Sequence, residues 1–378
     1  MTEKELKTIL DRIKPLDRAF FEKAQARLDN LTKPQGSLGR LEEVAARVVA
    51  ITEDLRPKTA GKRIYVFAGD HGVEEEGVSC FPREVTAQMV FNFLRGGAGI
   101  NVLARQAGAE VLVVDMGVDY DFQGISGLLD RKIARGTGNL ARGPAMSRKQ
   151  AIQSLAVGIE LARNARQDGV NLLGCGDMGI ANTTPSSAIT AVMTGESLDK
   201  ITGKGTGIDE KRWKKKVNVI RQAIRKNRPD RNDPVDVLAG VGGFEIGGIA
   251  GLILGAAFFR IPMVIDGFIS GAGALIAAGL SPLVKDYFFA SHQSAEPGHR
   301  AILKALRQRP LLELDLRLGE GTGAALGMGL VEAATRILNE MAAFGEAKVS
   351  REVNQDGKGS KGKGQSAKGR EQRAGSKE

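Results

Sequence analysis

The sequence predicts an α/β protein built on a parallel β-sheet that helices cover on both faces. Two observations lead to this prediction. Short segments that are apolar on both faces, as buried parallel strands are, alternate with longer segments of helical periodicity. Glycine-rich segments directly follow several of the strand-like runs, and in such sheets ligands bind beyond the carboxyl ends of the strands.

The predicted elements follow one another along the chain of 378 residues, a length that fits one large domain or two. The strand-like runs are residues 63–69, 110–115, 170–174 and 262–266. Apolar spacing predicts one helix within residues 38–55, a second after Pro82, a third from the capping box of Ser147 to Gly169, and a fourth from near Asp209.

Composition excludes several classes of protein. Hydrophobic residues make up 42% and charged residues 26%, which is typical of a globular protein and excludes a disordered or fibrous one. Two uncharged runs, 178–195 and 267–284, approach the length of a membrane span, but their polar residues and prolines favour buried core. Cys80 and Cys175 form no disulfide or metal-binding pattern, and the charged N-terminus lacks an apolar signal region, so we expect a cytoplasmic protein.

The formal net charge of +10 is concentrated in two segments. Residues 204–231 include 11 basic and 3 acidic residues, and residues 357–378 include 7 and 2, so the rest of the chain has a net charge of −3. We predict that residues 346–378 form a disordered basic tail, rich in glycine and lysine. A nucleic-acid-binding protein is the alternative that these segments suggest, although aromatic residues are only 5% and no nucleic-acid module is present.

Two segments suggest catalytic chemistry that their details disfavour. Asp70, His71 and three consecutive glutamates follow the first strand, but the glutamates cannot all face one ion, so an exposed acidic turn is favoured over a metal site. His292 and His299 lie close together in sequence, but the G-x-S-x-G turn of a serine hydrolase is missing, so structural histidines are favoured over a catalytic triad.

The glycines at positions 174, 176 and 179 formally match the dinucleotide fingerprint G-x-G-x-x-G. The acid that this fingerprint requires about 20 residues further on would be Asp199, whose neighbours do not resemble a strand end. The segment is therefore compatible with an anion site, with a nicotinamide-dependent oxidoreductase, or with a simple strand–helix turn.

Two later segments leave their interpretation open. Residues 203–207 are equally rich in glycine and precede a helix with lysines crowded into its first two turns, one of which can reach a phosphate. Glu320 stands between two glycines just before an apolar helix. It is either a desolvated general base or an exposed helix cap, and spacing alone does not decide between them.

Seven motifs occur together and in order: KPQGSLGRLE (33–42), FAGDHGVEEEGVS (67–79), GCGDMGIANTTP (174–185), GKGTGID (203–209), DPVDVLAGVGGFEIGG (233–248), SAEPGH (294–299) and LRLGEGTGAAL (316–326). Together, over residues 6–344, they resemble the nicotinate-nucleotide:dimethylbenzimidazole phosphoribosyltransferase family, which builds the lower ligand of cobalamin. The resemblance implies a Rossmann-like sheet in a large domain, with a small helical domain from both chain ends, within residues 1–345. It also implies a homodimer.

The same resemblance implies the reaction. The phosphoribosyl group of nicotinate mononucleotide moves to 5,6-dimethylbenzimidazole, which gives α-ribazole 5′-phosphate and nicotinate. Nicotinate leaves as a neutral ring and needs no acid, so one carboxylate base suffices. We therefore expect no metal or cofactor, and no membrane or nucleic-acid partner.

By motif, the resemblance implies that Glu320 is the catalytic base and Asp177 a second acid. It places Ser79 and Gln88 in the benzimidazole pocket. A third group is expected to bind the phosphate and the nucleotide: Gly176, Gly179, Asn182, Gly203, Gly205, Lys216, Ser294 and Arg317. Asp177 departs from the family, which usually has glutamate there, and the shorter side chain retracts the carboxylate by one methylene group.

Overall fold

One parallel sheet of six strands forms the centre of residues 1–205 and 207–350, the part of the chain that the structure, a computed structural model, describes. The strands are β1 Lys62–Gly69, β2 Ala109–Gly117, β3 Leu128–Asp130, β4 Leu172–Met178, β5 Met263–Ile265 and β6 Phe288–Ala290. Their order in the sheet is β3-β2-β1-β4-β5-β6, with every neighbouring pair parallel. This Rossmann-like order reverses between β1 and β4, which opens a crevice outside the carboxyl ends of these strands.

The helices connect the strands and precede and follow the sheet. In the first half of the chain they are α1 Glu3–Leu10, α2 Arg18–Asp29, α3 Arg40–Thr52, α4 Glu84–Leu94, α5 Gly99–Ala107, α6 Arg148–Gln167 and α7 Thr183–Thr194. In the second half they are α8 Leu198–Ile201, α9 Glu210–Asn227, α10 Pro234–Val241, α11 Phe244–Phe259, α12 Phe268–Leu280, α13 Pro297–Leu306, α14 Thr322–Glu340 and α15 Phe344–Ala347. Two 3-10 helices cover Gly72–Glu76 and Pro282–Asp286.

The four predicted strands are confirmed as β1, β2, β4 and β5, but the predicted end of β4 at Gly174 is wrong. The strand continues to Met178, so Gly174 and Gly176 lie inside the sheet instead of in a loop. Because they have no side chain, other groups can pack directly against them. A Cβ added at Gly174 would lie only 2.8 Å from Met328 Cε, and a Cβ added at Gly176 would overlap the backbone of Glu320. Strands β3 and β6, of three residues each, were not predicted, whereas β5, which is equally short, was.

Helices cover both faces of the sheet, as predicted. On one face α11 lies against Phe67 of β1, and on the other α14 lies against β4. Helix α6 packs closely along α11. A Cβ added at Gly158 would overlap the carbonyl oxygen of Gly248, and a Cβ added at Gly251 would overlap the carbonyl oxygen of Leu155. Several glycines thus permit close contact between helices. This role is in addition to the strand-end loops that the sequence suggested for glycine.

The two chain ends meet beside the sheet. Helices α2 and α3 pack against α14, and the Thr32 N–H donates to the Ala342 carbonyl at 3.0 Å. This contact agrees with a helical region built from both ends, while its division from the rest at residue 345 stays a prediction. Of the predicted tail, residues 346–350 include the end of α15, and residues 351–378 lie outside the described residues.

The two uncharged runs are core, as predicted. They contain α7 and α12, whose residues are mostly buried between other helices. Among the described residues, no helix is both long and apolar enough to span a membrane.

Candidate active site

A cavity of about 450 Å³ opens at the carboxyl ends of β4, β5 and β6, beside the switch in strand order. Its wall combines residues that follow these strands with side chains of α4 and with the loop before α14. Seven of the predicted site residues line it: Asp177, Gly179, Asn182, Gly205, Ser294, Arg317 and Glu320. The parallel sheet therefore brings together segments that lie far apart in the chain.

Glu320 lies in the cavity wall as a buried carboxylate, with 6% of its surface exposed. Its backbone has a φ of 61°, between two glycines that also have positive φ, and such conformations are uncommon for a residue with a Cβ. Oε2 accepts a hydrogen bond from the N–H of Ile100 at 3.1 Å, at the N-terminus of α5. Burial raises the pKa of this carboxyl, and the backbone N–H groups of Ile100 and Gly99 oppose the rise. The exposed helix cap, one of the two interpretations left open by the sequence, is wrong.

Asp266 holds the loop that carries Glu320, although the sequence did not single it out. It follows β5 and accepts hydrogen bonds from the N–H groups of Gly321, Gly323 and Ala324 at 3.1, 2.8 and 3.2 Å. Burial raises its pKa to about 7, against the effect of these N–H donors. Its position as the last residue of the predicted strand 262–266 was the available sequence signal.

Asp177 lies at the end of β4, buried within the same wall. Its Oδ2 accepts a hydrogen bond from Asn182 Nδ2 at 2.9 Å, and its carbonyl accepts a long one from the Glu320 N–H at 3.3 Å. Burial, followed by the negative charge of Asp266, raises the pKa of Asp177 well above its usual range. The two predicted acids thus share one desolvated, acidic region.

The cavity wall also includes glycine backbone and a cation, Arg317. Arg317 Nη1 donates to the carbonyl of Gly205 at 3.2 Å. Behind this loop lies Lys216, which is only 1% exposed and donates from Nζ to Thr183 Oγ1 at 2.7 Å and to the Gly203 carbonyl at 3.4 Å. Burial lowers the pKa of Lys216 to about 8. Lys216 and Gly203 back the cavity wall without lining it.

Three predicted residues lie elsewhere. Gly176 is inside β4, against the backbone of Glu320. Ser79 accepts a hydrogen bond from the Phe81 N–H at 3.1 Å, in the segment before α4. Gln88 is exposed and lines a neighbouring cleft of about 640 Å³ with Arg83 and Tyr120. None of the three is among the described residues that line the cavity.

An apolar surface covers much of the cavity, and the sequence did not identify it. Helix α4 contributes Val85 and Met89, one turn apart, and Phe81 lies just before that helix. The remaining apolar side chains are Met178, Ile180, Phe268, Ile269 and Leu318. The spacing of Val85 and Met89 predicted a helix face, but a face that lines a cavity has the same spacing as one that faces the core.

The histidines do not form a triad. Ser291 Oγ lies 2.9 Å from His292 Nδ1, and Asp266 Oδ1 lies 3.9 Å from the same nitrogen, whereas a triad needs the serine and the acid on different nitrogens. His299 Nδ1 accepts a hydrogen bond from the Ser294 N–H at 2.9 Å. Burial lowers the pKa values of His292 and His299 to about 4 and about 3, so both rings are neutral near pH 7.

The acidic segment after β1 is tied to arginines and backbone. Arg142 lies 3.1 Å from both Glu75 and Glu76, and Arg83 lies 3.6 Å from Glu74. Among the described residues, no group of three or more His, Cys, Asp or Glu side chains is arranged to hold a metal ion.

The dinucleotide interpretation finds no support in the geometry. Two of its three glycines lie within β4, and Asp199 lies on α8 instead of at a strand end. A ribose-binding acid at the end of a second strand is therefore not provided by this residue.

A protein-family model described as phosphoribosyltransferase matches residues 13–349. Similar curated proteins are named nicotinate-nucleotide–dimethylbenzimidazole phosphoribosyltransferase. One from Geobacter metallireducens is 60% identical over 342 residues, which cover 90% of this chain and 97% of that protein. Another, from Geobacter sulfurreducens, is 60% identical over 341 residues, with the same two shares.

Solved structures show the same similarity. The crystal structure of CobT from Thermus thermophilus has a TM-score of 0.85 and 48% sequence identity, and the match covers 88% of this chain and all of that one. A second structure from the same organism, titled as the nicotinate-nucleotide–dimethylbenzimidazole enzyme, has a TM-score of 0.84 and 47% identity.

Proposed function

This chain belongs to the phosphoribosyltransferase family, and on that premise we propose that it transfers the phosphoribosyl group of nicotinate mononucleotide to 5,6-dimethylbenzimidazole. The products would be α-ribazole 5′-phosphate and nicotinate, as cobalamin assembly requires. The observation that supports this most is the buried Glu320 carboxylate with its raised pKa, in a cavity lined by apolar side chains and by the cation Arg317.

The reaction needs one proton acceptor. The pyridinium ring of the nucleotide leaves as neutral nicotinate, so no acid is required there. The incoming benzimidazole loses its ring N–H while its other nitrogen attacks the anomeric carbon, and Glu320 takes that proton. Attack opposite to the leaving ring inverts the β-nucleotide to an α-riboside in a single displacement.

Different residues of the cavity suit the two substrates. The apolar surface of Val85, Met89 and Phe268 can contact the flat faces of an aromatic base. The positive charge of Arg317 in the cavity wall, together with that of Lys216 behind the Gly205 loop, suits the nucleotide phosphate. Binding both substrates in this orientation supplies much of the rate.

Asp177 is proposed to support the base instead of replacing it. Its carbonyl contacts the Glu320 N–H, and its raised pKa favours a protonated side chain that can donate a hydrogen bond within the cavity. Ser79 and Gln88 remain predicted base-binding residues on the resemblance alone; both flank the segment that carries Phe81.

We propose that the protein is a homodimer in the cytoplasm. Large apolar side chains at the mouth of the cavity support a partner there: Phe81 is 50% exposed and Leu318 is 59% exposed. Light scattering coupled to gel filtration should give twice the mass of one chain. A mass of one chain at micromolar concentration would exclude the dimer.

The decisive test of function is incubation with nicotinate mononucleotide and a panel of bases, with the products identified by mass spectrometry. We expect α-ribazole 5′-phosphate and nicotinate in equal amounts with 5,6-dimethylbenzimidazole. The panel should include other benzimidazoles, purines and phenols, because the preferred base then follows from relative kcat/KM. If no base yields a riboside phosphate, the proposed function is wrong.

A further inference from the structure

Glu296 is a buried carboxylate in the cavity wall for which the proposed reaction has no role. It is 7% exposed and immediately precedes Pro297 at the start of α13. Its Oε1 accepts a hydrogen bond from the Gly205 N–H at 3.1 Å. Its Oε2 lies so close to Gly203 that a Cβ there would overlap it. One carboxylate therefore lies against two of the three glycines, Gly203 and Gly205, of the loop that precedes α9.

Glu296 is also the carboxylate that acts on Lys216. The ammonium group of Lys216 is held by two neutral oxygens, Thr183 Oγ1 and the Gly203 carbonyl, and neither balances its charge. Burial lowers the pKa of Lys216 to about 8, and the negative charge of Glu296 opposes that fall. The same carboxylate thus touches the loop and stabilises the cation behind it.

Other charged groups near α9 have their own partners. Helix α7, which packs against α9, contributes no charged side chain. On α8, Asp199 lies 3.8 Å from Arg221, and Asp233, the N-cap residue of α10, lies 2.6 Å from Arg148. Asp236 accepts a hydrogen bond from the Asp230 N–H at 2.8 Å. Arg317 approaches the same loop from the cavity side, where it adds positive charge.

We propose that Glu296 is a positioning residue for the nucleotide phosphate, which holds the glycine loop in place and keeps Lys216 positively charged at neutral pH. This inference rests on the proposed function, because it assumes that the charge of Lys216 acts on a phosphate bound in the cavity. Glu296 itself carries a negative charge, so it acts through the lysine and the loop and does not bind the phosphate.

The test is the affinity for nicotinate mononucleotide, measured by calorimetry from pH 6 to pH 9 for the unaltered protein and for Glu296→Gln. Glutamine retains the shape and the acceptor for the Gly205 N–H, but not the charge. The Kd of Glu296→Gln divided by the Kd of the unaltered protein should be near one at pH 6. It should rise to about tenfold at pH 9 if the pKa of Lys216 falls by about one unit, since one unit corresponds to a factor of ten. Ionisation of the ligand phosphate affects both proteins equally and cancels in this ratio.

Two further variants sharpen the test. Glu210→Gln removes an acid that is 62% exposed in the first turn of α9, and its Kd ratio should stay near one at every pH. Lys216→Arg keeps a positive charge over the whole range, so adding Glu296→Gln to it should no longer produce a ratio that depends on pH.

The outcomes separate the inference from the function. A weaker affinity with the same ratio at every pH would mean that Glu296 only supports the loop, and would overturn the inference, as would an unchanged affinity. If the unaltered protein does not bind nicotinate mononucleotide at all, the proposed function is wrong, and so is the inference that rests on it.

Discussion

At the scale of single residues, the proposed chemistry depends on how Glu320 is held. Its left-handed backbone conformation costs of the order of 1 kcal/mol or more, and Asp266 offsets this cost by binding three of the next four N–H groups. The carboxylate itself meets the N-terminus of α5, which limits the rise in its pKa. A base fixed in this way is oriented before the substrates arrive.

Replacing Glu320 by Gln should lower kcat by roughly 10²- to 10⁴-fold, the usual contribution of a general base, and change the KM for either substrate little. In the unaltered enzyme, the raised pKa of Glu320 predicts that kcat falls as the pH drops through a value above the ordinary glutamate range. Steady-state kinetics across pH 4 to 9 check both expectations. A near-normal kcat in the variant would remove Glu320 from the role of base.

The same substitution should stabilise the fold at neutral pH. A carboxyl whose pKa is raised by folding binds its proton more tightly in the native state, so its ionisation reduces stability as the pH rises from the unfolded to the folded pKa. The melting temperature of Glu320→Gln should equal that of the unaltered protein near pH 4 and exceed it above the folded pKa. Calorimetric melting at several pH values measures this, and an equal or lower melting temperature at pH 8 would contradict it.

The sequence identified the residues of the candidate site better than the contacts that hold those residues in place. Glu320, Asp177 and Arg317 were found because their motifs are specific, and all three line the cavity. Asp266 and Glu296 were missed because their roles depend on backbone N–H groups of remote segments, Gly321 and Gly205, which no local pattern reveals. The apolar surface was missed since a helix face that lines a cavity resembles one that packs in the core.

At the scale of elements, long periodic segments were predicted well and short ones only in part. The capping box of Ser147 and the N-cap of Asp209 start α6 and α9 as expected. Strands β3 and β6, of three residues each, were not predicted, whereas β5, which is equally short, was predicted from the apolar run 262–266 that contains it. The extension of β4 escaped because its glycines suggested a loop, whereas they serve close packing against α14 and its preceding loop.

Two helical glycines should respond oppositely to substitution by alanine. Gly158, in α6, faces the backbone of α11 so closely that a Cβ would force the helices apart. Gly158→Ala should therefore cost roughly 3 kcal/mol or more, or prevent folding. Gly329, in α14, has no atom within 4 Å of a Cβ, so Gly329→Ala should stabilise the protein by about 0.5–1 kcal/mol. Urea denaturation measures both, and the same sign of effect at both sites would contradict the packing argument.

At the scale of the whole molecule, the strand order explains why distant motifs form one site. With β1 and β4 at the centre, the segments that follow β4, β5 and β6 meet at one edge of the sheet, and the loop before α14 closes over them. The fold class could be predicted from alternating elements, but the strand order could not, because neighbours in the sheet are set by contacts between residues remote in sequence.

The positively charged residues 357–378 and the catalytic site should act independently of each other. All described residues that line the cavity lie between Phe81 and Glu320, whereas residues 357–378 carry a net charge of +5. Removing residues 357–378 should therefore leave kcat/KM for both substrates and the melting temperature unchanged within about twofold and 2 °C, respectively. The same truncation should lower any affinity for DNA that falls steeply with salt, because it removes seven basic residues from the chain. Kinetics and DNA titration at two salt concentrations test both statements on the same pair of proteins. A truncated protein that loses turnover would place the tail in the catalytic unit, and one that binds DNA as tightly as the full chain would place that affinity on the lysines of α9.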